Sequence, residues 1–331
     1  MSGTAADIAG QGFVRGFVAE RYGPRARAVD FVVLPGNSGQ TVRFAVHDQR
    51  GQEIDVLVAR CAPAGMPPVG HLDLERQAGF LHAAAEATIP VPEVVFAANS
   101  SATFPSATMI TRWVRGTSMP DWAGRAGDRT AMFQQAAEVL ARIHSLPVER
   151  TPARSDQPRS PEAEIEHWSA VARPSRVEWL ARLDRLAEKL VAAPPMDSEP
   201  AVTHGDFRLG NLVVRGTRIG AVVDWELARS GSSRLDLAWL LMYLDAPWWY
   251  HGVDGGVAEA VRRAVQDRYL TTCVSSAECA PWFQAAVRFK QAAIIAYNYR
   301  LHITGKRPDL HWEHMLQAVP ALLGRAERLL S

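Results

Sequence analysis

Residues 201–226 read AVTHGDFRLGNLVVRGTRIGAVVDWE, and the rest of the chain is best understood outward from them. An apolar lead-in delivers His204-Gly205-Asp206, Asn211 follows five residues after that aspartate, and a second apolar run delivers Asp224. Leu212, Val213 and Val214 have the character of a short strand, Gly216 permits a tight turn, and Ile219 to Val223 read as the returning strand. A hairpin of that length predicts Asn211 and Asp224 at one end, with Asp206 on the loop before it. A carboxylate, an amide oxygen and a second carboxylate brought together in this way suit Mg²⁺, which takes one or two protein carboxylates alongside phosphate oxygens and water. The remaining carboxylate can orient an attacking hydroxyl and accept its proton. Taken singly, each of these polar residues serves equally well to cap or turn a hairpin.

Protein kinases use the same order: a catalytic-loop Asp, a metal-binding Asn, then a metal-binding Asp after a strand. As a set the residues resemble the aminoglycoside phosphotransferase family, which includes choline, homoserine and macrolide kinases. That family's catalytic loop runs H-G-D-x-x-x-x-N, matched here by His204-Gly205-Asp206 and Asn211, and its metal-binding Asp lies in a hydrophobic-Asp-aromatic context, matched by Val223-Asp224-Trp225. The longer string HGDFRLGN…VVDWELA…DLAWLL is similar to the branch fused to acyl-CoA dehydrogenases. The resemblance implies an α+β, bilobal protein-kinase-like fold. A small antiparallel β-sheet lobe with a helix, residues 1–115, would hold the nucleotide, and a larger, mainly helical lobe, residues 116–331, would carry catalysis and substrate binding. It further implies ATP and Mg²⁺ as cofactors, Asp206 as the catalytic carboxylate, and Asn211 and Asp224 as metal ligands. His204 is expected to brace the loop. Arg208 would contact either the transferring phosphoryl group or an anionic substrate, or form a structural salt bridge.

Upstream, residues 29–60 alternate as strands do, in VDFVVLPG, TVRFAVHD and EIDVLVAR. The turn Gly36-Asn37-Ser38-Gly39-Gln40-Thr41 lets backbone N–H groups approach phosphate oxygens, which makes Gly36, Ser38 and Gly39 candidate nucleotide contacts, although glycine turns also join strands with no ligand at all. Residues 58–65, VARCAPAG, resemble the family's V-L-R-R-x-P-x-G and place Arg60 at the nucleotide phosphates. Arginine there can bind phosphate bidentately where lysine acts as a point charge. The helical pattern of residues 71–87 carries Glu75 in its first part, and the resemblance nominates it as the acid that holds Arg60. Thr111 and Trp113 fall at the expected hinge, where the family binds adenine through backbone groups. A short helix is expected over residues 6–21.

Downstream, an alanine-rich helix over 128–147 ends at His144, read as structural. Residues 149–162 read as a surface loop or mobile insert, followed by helices at 162–171 and 175–193. After Asp224 the family's Gly-Asp-Pro is replaced by Gly231-Ser232-Ser233, and Asp236 is expected to support the catalytic loop from the start of a helix. Trp248, Trp249 and Tyr250 are candidates for a pocket rim or for helix-junction packing. Helices are expected over 257–274, 281–304 and 310–330.

The 331 residues are 47% hydrophobic and 21% charged, with a formal net charge of +1, which gives no electrostatic reason to expect nucleic acid or an anionic membrane surface as partner. The three cysteines, Cys61, Cys273 and Cys279, lack metal-site spacing. No apolar run reaches the length of a membrane span and the N-terminus lacks the shape of a signal peptide, so the expectation is a cytoplasmic monomer or homodimer. The expected partner is a small-molecule hydroxyl substrate. Arg229, Arg234, Arg288, Lys290 and Arg300 accompany Asp245, Asp254 and Glu259 in the substrate region, a mixture that favours an anionic acceptor, such as a hydroxyacyl group on coenzyme A, over a polycationic aminoglycoside. The competing reading is a pseudokinase that binds nucleotide or metabolite without turnover. A hydrolase is disfavoured because no Gly-x-Ser-x-Gly or His-Glu-x-x-His run occurs.

Overall fold

Valine-rich alternating segments dominate the first third of the chain, and alanine- and leucine-rich helical segments the rest. In the computed structural model, which describes residues 11–34, 39–119, 126–195, 200–245, 259–273 and 280–331, these preferences produce an antiparallel sheet followed by a mainly helical remainder. The chain divides into two compact units. One runs to Gly116 and also takes in Gly220–Ala228; the other comprises Thr117–Ile219 and Arg229–Ser331. The nine-residue return of 220–228 to the first unit is a feature that a single boundary near residue 115 did not anticipate.

The first unit is built on a five-stranded sheet of β1 (Arg27–Leu34), β2 (Gln40–His47), β3 (Glu53–Cys61), β4 (Val94–Ala98) and β5 (Thr108–Arg112), in the order β1-β2-β3-β5-β4. Its neighbouring strands pair antiparallel. A bulge between Val29 and Val32 coincides with Asp30 in the left-handed region (φ 54°), which lets β1 bend. Helix α1 (Gln11–Tyr22) buries Val14, Phe17 and Val18 with Phe44, Val46, Leu57, Ala59, Phe104 and Ile110 of the sheet side. Helix α2 (Leu74–Glu86) packs on β4 and β5. Its start is fixed by Asp73, whose carboxylate accepts from Arg76 N at 2.9 Å and from Asn99 Nδ2 at 2.7 Å, while Asn99 Oδ1 accepts from Leu74 N. Residues 220–228 join this unit through Trp225, which is 2% exposed and stacks on Phe80 with ring centroids 6.3 Å apart.

In the second unit, helices α3 (Ala126–His144), α4 (Pro161–Ala172) and α5 (Leu180–Ala192) precede two small ladders. Strand β6 (Thr117–Ser118) pairs with β8 (Leu212–Arg215), and β7 (Ala201–Thr203) pairs with β10 (Arg229–Gly231). The expected hairpin is present: β8 turns at Gly216 (φ 63°) into β9 (Arg218–Val222). Helices α6 (Ser233–Asp245), α7 (Glu259–Thr272), α8 (Pro281–Ile303), α9 (His311–Leu316) and α10 (Val319–Leu329) complete the unit. The long α8 is its axis, packed by α4, α5, α6, α9 and α10. Arg182 of α5 grips Glu327 of α10 with two parallel bonds of 2.8 and 2.7 Å.

Two expectations need correcting. The single helix over 310–330 is interrupted near Ala318, where Pro320 has no N–H to continue a helical ladder through that point. Residues 149–162 are also no loose insert. Two 3₁₀ turns bury Thr151 and Ala153, and the Asp156 carboxylate accepts from Ser230 N at 2.8 Å, so backbone and side chain are both anchored despite the Pro- and Ser-rich composition. Gly36, Ser38, Trp248, Trp249, Tyr250, Asp254 and Cys279 lie outside the described residues.

Candidate active site: an arginine among acids and an aspartate among donors

In the first unit Arg60 sits near the end of β3, between Thr41 of β2 and Met109 of β5. Its guanidinium is 14% exposed. Nη1 donates to Gln77 Oε1 at 3.2 Å and lies 3.4 Å from Asp224 Oδ1, while Nη2 donates to Glu226 Oε2. Glu75 is not the partner. It lies exposed in the first turn of α2, with its backbone N–H directed to Asn99; two positions further on, Gln77 is buried and faces Arg60. The acids that hold Arg60 come from the 220–228 segment, where the intervening Trp225 is driven inward and so presents its neighbours Asp224 and Glu226 to the arginine. Asp224 has φ 65°, a left-handed conformation uncommon for a non-glycine residue and more often seen at functional sites.

Gly39, just past the undescribed part of the turn, also has a sterically explicit role. At φ 125° a Cβ on it would stand 2.4 Å from the carbonyl oxygen of Cys61, so β2 and the end of β3 approach more closely than any side chain allows. Thr111 pairs with Val58 inside the sheet, and Trp113 donates its N–H to Val56 O at 2.8 Å under the guanidinium of Arg43.

In the second unit the catalytic-loop residues form one connected network. Asp206 accepts from Arg208 Nε (2.9 Å) and Asn211 Nδ2 (3.0 Å) on Oδ2, and from Trp239 Nε1 (2.9 Å) on Oδ1. Asn211 Nδ2 also donates to the Asp206 carbonyl at 2.9 Å, so both bonds from the amide to Asp206 use its nitrogen and neither uses the Oδ1 acceptor. The loop is held from behind by Asp236 at the start of α6, whose carboxylate accepts from His204 N at 2.6 Å, Gly205 N at 3.0 Å and the His144 ring at 3.3 Å. Burial alone would push the Asp236 carboxyl up. The hydrogen bonds from His144 and the His204 backbone outweigh it and hold the group below the usual carboxylate range. His144 is itself bonded to Tyr269 at 2.6 Å, and the Tyr269 hydroxyl is pushed above its ordinary range chiefly by burial. His204 is fully buried, and its Nδ1 accepts from Asp206 N at 3.3 Å. It positions the loop and is not placed to meet an acceptor. Lys290 of α8 donates to Gly205 O at 2.9 Å and stands 4.4 Å from the Trp239 ring.

The sequence did not single out Gln77, Glu226 or Trp239. Glu226 and Trp239 lie inside strings already quoted and were within reach: the one two residues beyond Asp224, the other three beyond Asp236. Lys290 was counted among the cations of the substrate region, but its bond to the catalytic loop was not expected.

An antiparallel sheet with α2, followed by a mainly helical unit that carries an Asp-Asn loop, is a protein-kinase-like architecture, and known proteins match it. A protein from Ralstonia eutropha JMP134, classed provisionally with the aminoglycoside phosphotransferases, superposes with a TM-score of 0.77 over 96% of this chain and 97% of its own, at 19% identity. A spectinomycin phosphotransferase solved with ADP and spectinomycin superposes with a TM-score of 0.61 over 92% of each chain, at 10% identity. The model of the phosphotransferase enzyme family matches residues 32–277, and the chain belongs to that family. Among curated relatives, mouse acyl-CoA dehydrogenase family member 10 is 26% identical over 287 residues; the match takes in 82% of this chain and only 26% of that protein's length.

No described helix is long and apolar enough to cross a membrane. Among the described residues no group of three or more His, Cys, Asp or Glu side chains could hold a metal. Within the first unit the Asp224 carboxylate keeps a side chain that is 36% exposed.

Proposed function

We propose that the chain transfers the γ-phosphoryl group of ATP to a hydroxyl of a small molecule. The reading is carried by the surroundings of Asp206, a carboxylate fixed by three donors whose side chain is still 21% exposed. Three of its roughly four lone-pair directions are engaged, and the fourth is available to take a proton from an alcohol. Arg60 would meet the nucleotide phosphates, exchanging Asp224 or Glu226 for phosphate oxygens. Asn211 Oδ1 and the Asp224 carboxylate fit Mg²⁺, which when bound would neutralise charge on the transferring phosphate. Such a reaction needs positioning and charge neutralisation more than covalent chemistry, and the Asp206 network supplies the positioning. The ADP held by the spectinomycin phosphotransferase supports a nucleotide donor, and the family supports a small-molecule acceptor.

The test is conversion of ATP to ADP, with and without Mg²⁺, across a panel of hydroxylated acids, amino sugars and amino alcohols, for wild type and Asp206→Ala. Mg²⁺-dependent turnover that disappears in the variant is expected. No Mg²⁺-dependent turnover with any acceptor, while ADP still binds, would replace the enzyme with a silent nucleotide-binding protein.

A further inference from the structure

Behind the catalytic loop, within the second unit, lies a cavity of about 60 Å³. One water needs about 10–15 Å³ of such space, so the cavity has room for several waters or one small polar group, and not for a whole substrate. Its walls come from α4, α8, the β10 strand and the start of α6, and Gly205, the neighbour of Asp206, forms part of them. The lining carries three cations, Arg159, Arg229 and Lys290, against two acids, Glu164 and Asp236.

Both acids are already satisfied from within. Asp236 accepts from two backbone amides and His144. Glu164 accepts from Trp168 Nε1 at 2.8 Å and from Arg159 at 3.2 Å. Burial pushes the Glu164 carboxyl up, but Lys290, the Trp168 bond and Arg159 more than compensate and keep it below its ordinary value. Lys290 also directs a hydrogen bond to the Gly205 carbonyl, and Arg229 donates to the carbonyls of Ser230 and Gln157. The local field is felt by His167, whose pKa is lowered first by burial and then by Arg159, with Arg229 and Lys290 adding to it.

The second, independent observation is a pair of orphaned hydroxyls. Ser230 is 1% exposed and Ser232 is 7% exposed; both line the cavity, and neither Oγ has a hydrogen-bond partner. A buried hydroxyl without a partner costs about 1–3 kcal/mol, so two on residues that line the same space call for something there to bond.

We propose that this cavity is an oxyanion subsite. It takes a carboxylate or phosphate group of the acceptor, held by the hydroxyls of Ser230 and Ser232 within the field of Arg159, Arg229 and Lys290, and so selects acidic acceptors over cationic ones. The subsite rests on the phosphotransferase reading for its link to an acceptor, but its occupancy is measurable without turnover. The 331-residue chain is titrated with inorganic phosphate and, separately, with acetate at constant ionic strength, by calorimetry and by tryptophan fluorescence, for which Trp168 is a wall reporter. Saturable binding is expected in wild type, weakened at least about tenfold by Ser232→Asp, which puts a negative charge on the wall, and about threefold or more by Arg159→Gln. The stronger of the two ions tells phosphate from carboxylate. Arg159→Gln, on a partly exposed side chain, keeps the test decisive if Ser232→Asp does not fold. No binding of either ion to wild type, or binding that neither variant changes and that marks an adventitious ion only, would overturn the subsite. ADP titrated into the same samples reports separately on the nucleotide reading.

Discussion

Arg60 and Asp206 are framed in opposite ways. Arg60 is a cation set among acceptors, Gln77, Asp224 and Glu226, which lie 17, 164 and 166 positions away in sequence. Asp206 is an anion set among donors, and two of these, Arg208 and Asn211, lie two and five positions away. The first arrangement exists only once the chain has folded, and under the proposed phosphotransfer its acids would release the guanidinium as phosphate takes their place. The second is largely written into one loop and is held without any ligand. On that proposal, the charge that would exchange partners serves binding, and the charge already held in one orientation serves chemistry.

That division can be broken by substitutions that should separate binding from turnover. Asp206→Ala is expected to lower kcat about 10³-fold, within the range of lost general-base catalysis, while ADP affinity by calorimetry stays unchanged. A parallel loss of ADP binding would break the comparison. Asp236→Asn removes the anchor behind the loop, and urea unfolding should show a loss of about 3 kcal/mol. Because the folded Asp236 carboxyl is held below the unfolded value near 3.9, its contribution is complete above about pH 4 and is lost as pH falls through the folded value. The stability gap between wild type and Asp236→Asn should therefore narrow on acidification below about pH 4.

Arg60→Ala should weaken ADP binding about 30-fold, as expected for a lost bidentate phosphate contact, and leave the melting behaviour of the Asp236 network as it was. Trp239→Phe keeps the ring beside Lys290 but removes the donor to Asp206 Oδ1, and should lower kcat about tenfold, or roughly 1.4 kcal/mol, with ADP affinity unaltered. Glu75→Gln should change ADP affinity by less than about twofold, since Arg60 leans on Gln77, Asp224 and Glu226. A larger effect would restore Glu75 to the arginine.

The same contrast decides how much the sequence discloses. Asp206, Asn211 and the β8–β9 hairpin are legible because spacing, strand alternation and a glycine turn are local properties. The strands before residue 115 and most helices are legible for the same reason. Glu75 was misread as the partner of Arg60 because periodicity locates the helix but not its rotation. The buried face of α2 carries Gln77, while Glu75 points to solvent. Lys290 reaches Gly205 across 85 positions, a contact that no local pattern encodes. The 149–162 segment was read as a surface loop or a mobile insert; it is a loop at the surface, but Asp156 and the Gln157 carbonyl tie it to β10, which turn-rich composition does not disclose.

The passage of residues 220–228 through the first unit has a consequence for anyone who would dissect the molecule. A fragment ending at residue 116 would carry the whole five-stranded sheet, yet it would leave Phe80 without Trp225 and Arg60 without Asp224 and Glu226. The sheet unit is thus discontinuous in the gene. To make it as a separate piece, the nine residues would have to be spliced back on after residue 116, and a working minimal version would be a permuted or linked chain rather than a truncation.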